Sequence, residues 1–464
     1  MGNIYSMTMA LCGKCGEKVR ASIEGRGGKV YMKKFCPLHG ESEVLLSSDE
    51  SWYAGSRAYV KPGQLPLSYA TEYHGCPDSC GFCEQHQQHV CLPVIEITSA
   101  CDMRCPVCLK NFDRQFSFSK KDFAAALGAV LKSEGECRVI NISGGEPTCH
   151  PGLEDFFRIA RQSGVTQITV STNGLRLLKD AGMRAMFRRY GVISAIQFDG
   201  PSAKAATVLR GRSGLYKEKM RLFRLLEEEG NRYSLVCTVA RGLNDTDIPS
   251  ITDFFFRSRA LSIMFQPVAL AGRGTGLKAE YRLTTDEVVR MLGKSPYVGK
   301  DDFNPLPCSH YACFALSYYL ASSDGEFLSL KELMGRDFYI ESITNRTLPG
   351  LDKTAFAKIK GRIYELWSVA DSGNANAAVL QRIKRILVEI ESSGFSPRRA
   401  LDAGIDSMKA IFIHSFMDRD TMDLSRLVKC CNPYAQADGK LVPICAHNVF
   451  RQANGNRRRD AEGK

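Results

Sequence analysis

Three cysteines in the first quarter of the chain have the spacing of a metal-cluster loop. Cys101, Cys105 and Cys108 stand in the sequence CDMRCPVC, separated by three and then two residues. The β-branched stretch 94–98 comes just before them and predicts a strand, so the cysteines lie on the loop that follows it. Three thiolates can hold three irons of a four-iron cluster and leave the fourth iron open. A structural zinc loop is the alternative, although zinc sites commonly come as two paired CxxC units.

A second group of ligands predicts a small metal module at residues 1–50. Cys12 and Cys15 form a CxxC pair, and Cys36 with His39 forms a CxxH pair further along. This is the spacing of a four-ligand site for one metal ion, either zinc or a single iron as in a rubredoxin. The glycines between the two pairs predict a hairpin. A module of this size has little core of its own, so we expect the metal to stabilise it.

Residues 51–91 are expected to form a linker and then a cysteine-rich segment. Cys76, Cys80 and Cys83 repeat the spacing of the first loop, but no strand pattern precedes them. Cys91 follows eight residues later and can close a four-iron cluster. The segment therefore predicts a closed auxiliary cluster on these four cysteines. Two nearby histidines are alternative fourth ligands, although each alone is typical of an exposed polar side chain: His86 and His89.

From residue 92 to 270 the pattern alternates between strands and helices. This alternation predicts an α/β fold with a parallel sheet and helices outside it. Polar residues and glycines gather where the strands end, which is where such sheets hold their ligands. The predicted strands are 94–98, 139–142, 168–171, 193–198, 234–239 and 262–266.

The C-terminal region, residues 271–464, carries further thiols without a tight spacing. Their number is sufficient for a second auxiliary cluster, but ligands from distant stretches cannot be assigned by spacing alone. Arg273 is a candidate anion contact, although we expect a solvated side chain there, and we expect His414 to be a satisfied core residue rather than a ligand. The candidate ligands are Cys308 and Cys313 and, near the end, Cys430 or Cys431 with Cys445.

Length and composition place these motifs in a large globular protein. The chain has 464 residues, 44% of them hydrophobic, and no apolar run approaches the ~20 residues of a membrane helix. Its 18 cysteines fall in tight groups and no signal-peptide pattern is present, so we expect metal ligation in the cytoplasm. The formal net charge of +12 favours an acidic partner, such as nucleic acid, an anionic membrane surface or a phosphorylated substrate.

The triplet and a second motif resemble those of radical S-adenosylmethionine (SAM) enzymes. The GGEP sequence at residues 144–147 matches an element of that superfamily, and the resemblance covers residues 92–270. It implies a partial (β/α)6 barrel whose open iron chelates the methionine of SAM, with Glu146 paired to the SAM amino group. Val107 is a departure, because the superfamily usually has an aromatic residue there, near the adenine. The implied cofactor-binding residues are Gly144, Gly145, Glu146, Pro147, Ser171, Asn173 and Asp199, of which Ser171 and Asn173 would contact the ribose.

The layout of the whole chain is similar to the tetraether lipid synthase group of radical SAM proteins, earlier described as hydroxymethyl-dihydropterin methyltransferases. The shared features are the CxxC…CPxHG module, the cysteine-rich segment, the CxxxCPVC triplet and a CCN…Y…DG…C ending. The resemblance implies up to three [4Fe-4S] clusters and a rubredoxin-like iron. It also implies an activity, in which a 5′-deoxyadenosyl radical takes hydrogen from unactivated alkyl termini of lipid chains and a carbon–carbon bond joins them.

Two other functions are compatible with the sequence. A radical SAM enzyme can instead modify a small soluble molecule such as a pterin, and a long hydrophobic groove would argue against that. A non-catalytic multi-metal protein that binds nucleic acid is a lesser alternative, which leaves the GGEP element unexplained. For lipid coupling, the expected partners are a lipid substrate, an anionic membrane surface on the cytoplasmic side and an electron donor such as ferredoxin or flavodoxin.

Overall fold

The structure, a computed structural model, describes most of the chain outside one long C-terminal segment. The described residues are 2–59, 62–70, 81–112, 115–306, 309–321, 327–338 and 408–451, with scattered positions between 357 and 388. Three predicted metal ligands lie outside the described residues: Cys76, Cys80 and Cys308.

The N-terminal module is a four-stranded antiparallel sheet in which the strands follow sequence order. The predicted hairpin is confirmed, because β2 and β3 turn at Gly27 and Gly28, both of which have positive φ. Buried and exposed side chains alternate along β2, as expected for a sheet with one face on a core. The strands are β1 (Asn3–Leu11), β2 (Lys18–Arg26), β3 (Lys29–Cys36) and β4 (Gly40–Ser47).

The predicted linker begins with a helix, α1 (Glu50–Arg57), which the sequence interpretation missed. Asp49 precedes it and caps its N-terminus, since the Asp49 carboxylate accepts hydrogen bonds from the backbone N–H groups of Ser51 and Trp52. Short helices of this kind lack a long apolar period, so a cap is their main signal in the sequence.

The other strands of the described chain form one sheet of twelve strands. Its centre is the predicted parallel sheet, because β5 to β10 are neighbours in chain order and each pairs in parallel with the next. These six strands are β5 (Val94–Glu96), β6 (Val139–Ser143), β7 (Gln167–Thr172), β8 (Ile193–Gln197), β9 (Arg232–Val239) and β10 (Ser262–Pro267).

Helices cover the outer face of this sheet. In one of them, Leu153, Phe156, Phe157 and Ala160 are buried at the spacing of an amphipathic helix and pack into the main core. The helices are α2 (Lys120–Glu134), α3 (Leu153–Gln162), α4 (Leu175–Lys179), α5 (Ala181–Arg189), α6 (Ala203–Arg210), α7 (Leu215–Glu228), α8 (Ile248–Arg257), α9 (Thr285–Leu292) and α10 (Leu330–Met334). Short 3-10 turns lie at Pro147–Cys149, Asp245–Asp247, Gly272–Gly276 and Ala279–Tyr281.

The C-terminal strands extend the same sheet at both edges. β14 pairs in parallel with β10 and antiparallel with β12, whereas β15 pairs in parallel with β5 at the opposite edge. Strands from the C-terminal region therefore flank both edges of the six-stranded parallel sheet, and β15 lies beside the strand that leads into the cysteine triplet. The bounds are β11 (Asn304–Pro305), β12 (Phe314–Ala321), β13 (Phe327–Ser329), β14 (Met408–His414), α11 (Leu424–Leu427), β15 (Pro433–Ala435), β16 (Leu441–Pro443), α12 (Ile444–Ala446) and a π-turn at His447–Arg451.

Among the helices that the structure describes, none combines the length and the apolar character needed to cross a membrane.

Candidate active site and metal centres

A cavity of about 490 Å³ runs along the inner face of the sheet. Alternate residues of several strands line it, as in Gln167, Thr169 and Ser171 of β7. Residues from both ends of the strands take part, so the cavity is at least ~16 Å long by the usual rise of a strand. The cysteine triplet lies at one end: Cys101, Cys105 and Cys108.

The cysteine loop is clamped by the 3-10 turn Gly272–Gly276. Arg273 donates its backbone N–H to the Cys108 carbonyl at 2.9 Å and its side-chain Nε–H to the Cys105 carbonyl at 3.1 Å. Gly272 has a φ of 57°, and a Cβ there would lie 2.3 Å from the carbonyl carbon of Leu109. The prediction that Arg273 is solvated is wrong, since its guanidinium takes part in fixing the loop that carries the triplet.

The two glycines of the GGEP element meet the backbone just before the triplet. The N–H of Gly145 donates to the Thr98 carbonyl at 2.7 Å. A Cβ on Gly144 would lie 2.4 Å from that same oxygen, and a Cβ on Gly145 would lie 2.4 Å from the Ala100 carbonyl oxygen. The glycines are therefore required by packing within the chain, and their approach to a bound methionine stays a prediction.

The Glu146 carboxylate is buried and surrounded by donors. Oε1 accepts from the Thr148 hydroxyl at 2.6 Å and the Thr172 hydroxyl at 2.7 Å, and Oε2 accepts from the Asn173 backbone N–H at 2.7 Å. Burial raises the pKa of Glu146, while these hydrogen bonds act in the opposite direction. Glu146 lines the cavity and joins the GGEP turn to the end of β7. Its predicted pairing with the SAM amino group stays a prediction.

Asn173 and Ser171, the predicted ribose contacts, both line the cavity. Asn173 donates from Nδ2 to the Asp102 carboxylate at 2.6 Å, which ties the end of β7 to the cysteine loop. Ser171 exchanges hydrogen bonds with the Asn141 side chain. The buried side chain of Lys219, which lies on α7, donates a hydrogen bond to the Asn173 carbonyl. Burial lowers the pKa of Lys219 to about 8.

Asp199 holds two other side chains in the cavity wall. Its carboxylate accepts from Arg210 at 2.6 and 2.9 Å and from the Gln197 amide at 2.6 Å. Arg210 and Gln197 line the cavity. The sequence analysis missed Arg210, the last residue of α6. The one sequence signal for its pairing with Asp199 is that it follows this strand-end aspartate by eleven residues. Direct binding of the cofactor by Asp199 stays a prediction.

The triplet fits a cluster with an open iron. All three thiols face one cavity from one loop, and a fourth cysteine does not line it within the described chain. Burial raises the pKa of Cys101 to about 12 and also raises that of Cys105, where the Arg210 guanidinium acts in the opposite direction. Metal ligation requires thiolates, and the partly buried Arg210 supplies positive charge beside them.

The N-terminal module holds a compact ligand set. The ligand atoms of Cys12, Cys15, Cys36 and His39 all lie within 4.8 Å of one another. His39 Nδ1 is 3.6 Å from the sulfur of Cys12 and 3.6 Å from that of Cys36. Burial opposes ionisation of Cys12, but backbone N–H groups of Cys15 and Lys14 lower its pKa to about 6. This set fits one tetrahedral metal ion.

The cysteine-rich segment is described only from residue 81. Cys83 and Cys91 are partly buried, and the Cys91 backbone N–H donates to the Cys431 carbonyl at 2.8 Å. The expectation that His86 and His89 are exposed is wrong. His86 is buried and stacks on Phe82, and His89 is buried with Nδ1 2.9 Å from the Glu134 carboxylate. The other ring nitrogen of His89, Nε2, lies 3.8 Å from the Cys91 sulfur. Whether these residues hold a cluster stays a prediction.

Four C-terminal thiols lie within the described chain. Cys313, Cys430 and Cys445 are near enough for their charges to interact. Cys430 donates to the Asn432 carbonyl at 3.4 Å, and Cys431 donates to the Asn432 side-chain oxygen at 3.3 Å. Burial raises the pKa of both Cys430 and Cys445 to about 12. Phe314 and Ile444, which adjoin Cys313 and Cys445, line the cavity, as does Asn432, which follows Cys431. These interactions favour Cys430 as the partner of Cys313 and Cys445, and which of Cys430 or Cys431 is a ligand stays a prediction.

His414 also faces the cavity. As expected it is buried, and its ring lies between those of Phe314 and Phe416, with centroids 3.9 and 4.0 Å away. Burial lowers its pKa to about 3, so the imidazole is neutral at physiological pH.

Comparisons with known proteins identify a superfamily for the part of the chain that carries the cysteine triplet and the GGEP turn. Residues 95–255 match the family model described as the radical SAM superfamily, and residues 4–48 match the HMPTM N-terminal zinc ribbon domain. A similar protein is the 7,8-dihydro-6-hydroxymethylpterin dimethyltransferase of Methanocaldococcus jannaschii, 26% identical over 96% of this chain and 94% of that protein. The GTP 3',8-cyclase of Chlorobaculum tepidum is 29% identical over 37% of this chain and 51% of its own length.

Among solved structures, SuiB of Streptococcus suis bound to S-adenosylmethionine is 15% identical over 42% of this chain and 43% of that chain, with a TM-score of 0.34. The superfamily match covers the strand that precedes the triplet, the triplet itself and the GGEP turn, and it implies SAM and a [4Fe-4S] cluster as cofactors. Residues 95–255 are therefore a radical SAM domain, and a zinc ribbon precedes it.

Proposed function

We propose that this protein is a radical SAM enzyme that joins alkyl termini of lipid chains through a new carbon–carbon bond. The observation that carries the proposal is the shape of the cavity. It runs from the cysteine triplet along the whole length of the strands, and most of its lining is apolar. A small heterocycle needs only the end near the triplet, whereas an alkyl chain can occupy the full length.

The wall formed by β12 and β14, beside β10, is the most apolar part of this cavity. Strands β12 and β14 present aromatic and aliphatic side chains to it, which exclude water from a reacting chain: Phe314, Tyr318, Met408, Ala410 and Phe412. SAM and its cluster supply the abstraction of hydrogen from an unactivated carbon. The chain's own residues hold the cysteine loop, position the cofactor and keep the substrate dry.

A second auxiliary cluster on Cys313, Cys430 and Cys445 belongs to this proposal, with Cys308 as the fourth ligand predicted from the sequence. Coupling needs a first carbon radical to persist until a second one forms. An iron–sulfur cluster can hold this carbon radical only if the cluster lies next to the reacting alkyl chain. Phe314 and Ile444, which adjoin two of these cysteines, line the same cavity as the triplet, which supports that placement.

Modification of a pterin is the second candidate, and two observations favour it. The relative from Methanocaldococcus jannaschii, whose similarity spans nearly the whole chain, is named as a pterin dimethyltransferase. In addition, the parallel strands contribute polar side chains to the cavity, such as Asn141, Thr169, Ser234 and Gln266, which can pair with the edges of a heterocycle.

The basic exterior supports transient contact with an anionic membrane surface, where the lipid substrate would be found. We also propose a small acidic electron donor, such as ferredoxin or flavodoxin, because the open cluster must receive one electron for each SAM cleaved.

Anaerobic incubation with SAM, a reductant and either a lipid extract or 7,8-dihydro-6-hydroxymethylpterin distinguishes the candidates. We expect mass analysis to detect coupled lipid and 5′-deoxyadenosine in the first case. Met408→Trp narrows the cavity at the strand ends far from the triplet. It should lower coupling at least about tenfold while SAM cleavage persists. Methylated pterin formed at wild-type rate by Met408→Trp, with no coupled lipid, would establish the second candidate instead.

A further inference from the structure

A buried arginine stands among the C-terminal thiols. Arg426 lies on α11, and only 8% of its surface is exposed. Its Nε–H donates to the sulfur of Cys313 at 3.4 Å, and Nη2 donates to the backbone carbonyls of Ala312 and Ser415 at 3.0 and 2.9 Å. The guanidinium therefore binds one thiol and two neutral carbonyls.

No carboxylate within the described chain forms an ion pair with Arg426. Asp423, an acidic residue that influences it, uses its carboxylate to cap α11 and to accept from the Thr8 hydroxyl at 2.6 Å. Two other arginines with little side-chain exposure differ in this respect. Arg210 is paired with Asp199, and Arg184 is paired with Glu229.

An arginine keeps its charge when it is buried, so it requires negative charge close by. Besides Asp423, which forms no ion pair with it, the groups that can supply this charge are sulfurs, since Cys313 contacts the guanidinium and Cys445 also contributes to its electrostatic environment. Neutral thiols would leave the cation buried without a paired anion, whereas ligation to iron makes them thiolates. The position of Arg426 thus points to a negatively charged metal centre at these cysteines.

We propose that Arg426 is the positioning residue that stabilises the second auxiliary cluster and raises its reduction potential. This inference rests on the cluster proposed above at Cys313, Cys430 and Cys445. Reduction adds one electron to the cluster and makes it more negative. A fixed positive charge in a low-dielectric environment favours that more negative state, and an N–H bond to a ligand sulfur acts in the same direction.

The test is a redox titration of the purified protein, loaded with iron and sulfide and followed by electron paramagnetic resonance without substrate. The signal of the second auxiliary cluster is identified as the one that Cys445→Ala removes. In Arg426→Gln we expect the ratio of reduced to oxidised cluster at a fixed potential to fall at least tenfold, a shift of about 59 mV for one electron. Arg426→Lys should shift it less, because it keeps the charge.

Two controls separate this effect from general damage. Arg184→Gln removes another buried guanidinium, from the helical layer, and should leave the potential unchanged. The SAM cluster in each sample should also keep its potential. If Arg426→Gln loses the iron of this cluster while Arg426→Lys keeps it, the requirement for positive charge is likewise supported.

Three results would overturn the proposal. The first is an unchanged reduction potential in Arg426→Gln, and the second is an equal loss of iron in Arg426→Gln and Arg426→Lys. The third is a Cys445→Ala variant that shows every signal of the wild-type protein. Because no substrate is present, a failure of lipid coupling would leave this measurement unaffected, so the two proposals fail independently.

Discussion

Glu146 accepts a hydrogen bond from the backbone N–H of Asn173 at 2.7 Å, and this contact links the GGEP turn to the end of β7. The same carboxylate also holds Thr148 and Thr172. Two of these residues, Glu146 and Asn173, are predicted to contact SAM. The site therefore depends on Glu146 for its internal order as well as for any direct contact with the cofactor.

Glu146→Ala should both destabilise the domain and weaken SAM binding. It leaves several buried donors without an acceptor, at a cost of about 3 kcal/mol or more. Glu146→Gln retains one acceptor oxygen and should be milder in thermal unfolding. Calorimetric titration with SAM then reports the direct contact, since Gln also lacks the charge that would pair with the amino group. Wild-type SAM affinity in both variants would refute the predicted pairing.

Gly272→Ala should release the cysteine loop from its clamp. The new methyl group would overlap the Leu109 backbone at a position with positive φ. We expect lower iron and sulfide content and less 5′-deoxyadenosine. Gly276→Ala is the matched control, because a Cβ there would have nothing within 4 Å among the described atoms. Equal cluster content in the two variants would show that the clamp is not needed.

Cys430→Ala and Cys431→Ala should differ, although the two residues are adjacent. The charges of Cys313 and Cys445 act on Cys430, whereas Cys431 donates to the Asn432 side-chain oxygen. We expect Cys430→Ala to lose the iron of one cluster and to stop product formation, with SAM cleavage partly retained. Cys431→Ala should retain the iron. The reverse result, measured by iron analysis, would assign the ligand to Cys431.

Removal of the N-terminal metal should open the ribbon without unfolding the radical SAM domain. Metal sites of this kind contribute on the order of 10 kcal/mol to the folding of small modules. The Cys15→Ser variant should lose one metal ion, and its β1 to β4 amides should exchange with solvent faster than in wild type. Exchange in β5 to β10 should stay slow. Unchanged protection of β1 to β4 in the metal-free protein would contradict this role.

Local patterns were enough to predict the centre of the fold. The six parallel strands and their order follow from alternating strand and helix patterns, because consecutive βαβ units place neighbours side by side. The ribbon ligands were predicted for the same reason, since two spaced pairs bring four ligands together within one small sheet. In both cases the informative residues are near one another in sequence.

Contacts between distant stretches were not predictable. Nothing local indicates that β14 pairs with β10 or that β15 pairs with β5. Arg273 and Arg426 acquire their roles only when the fold brings them to the triplet and to the C-terminal thiols. An arginine in a loop or short helix is usually exposed, and its sequence neighbours do not show what will surround it.

Transfer of deuterium tests the central proposal most directly. The protein is incubated anaerobically with SAM, a reductant and a lipid whose terminal methyl groups carry deuterium, and 5′-deoxyadenosine is analysed by mass spectrometry. We predict that deuterium appears in 5′-deoxyadenosine and that the Cys105→Ala variant forms none. Labelled 5′-deoxyadenosine from a deuterated pterin, with none from the lipid, would contradict the proposal.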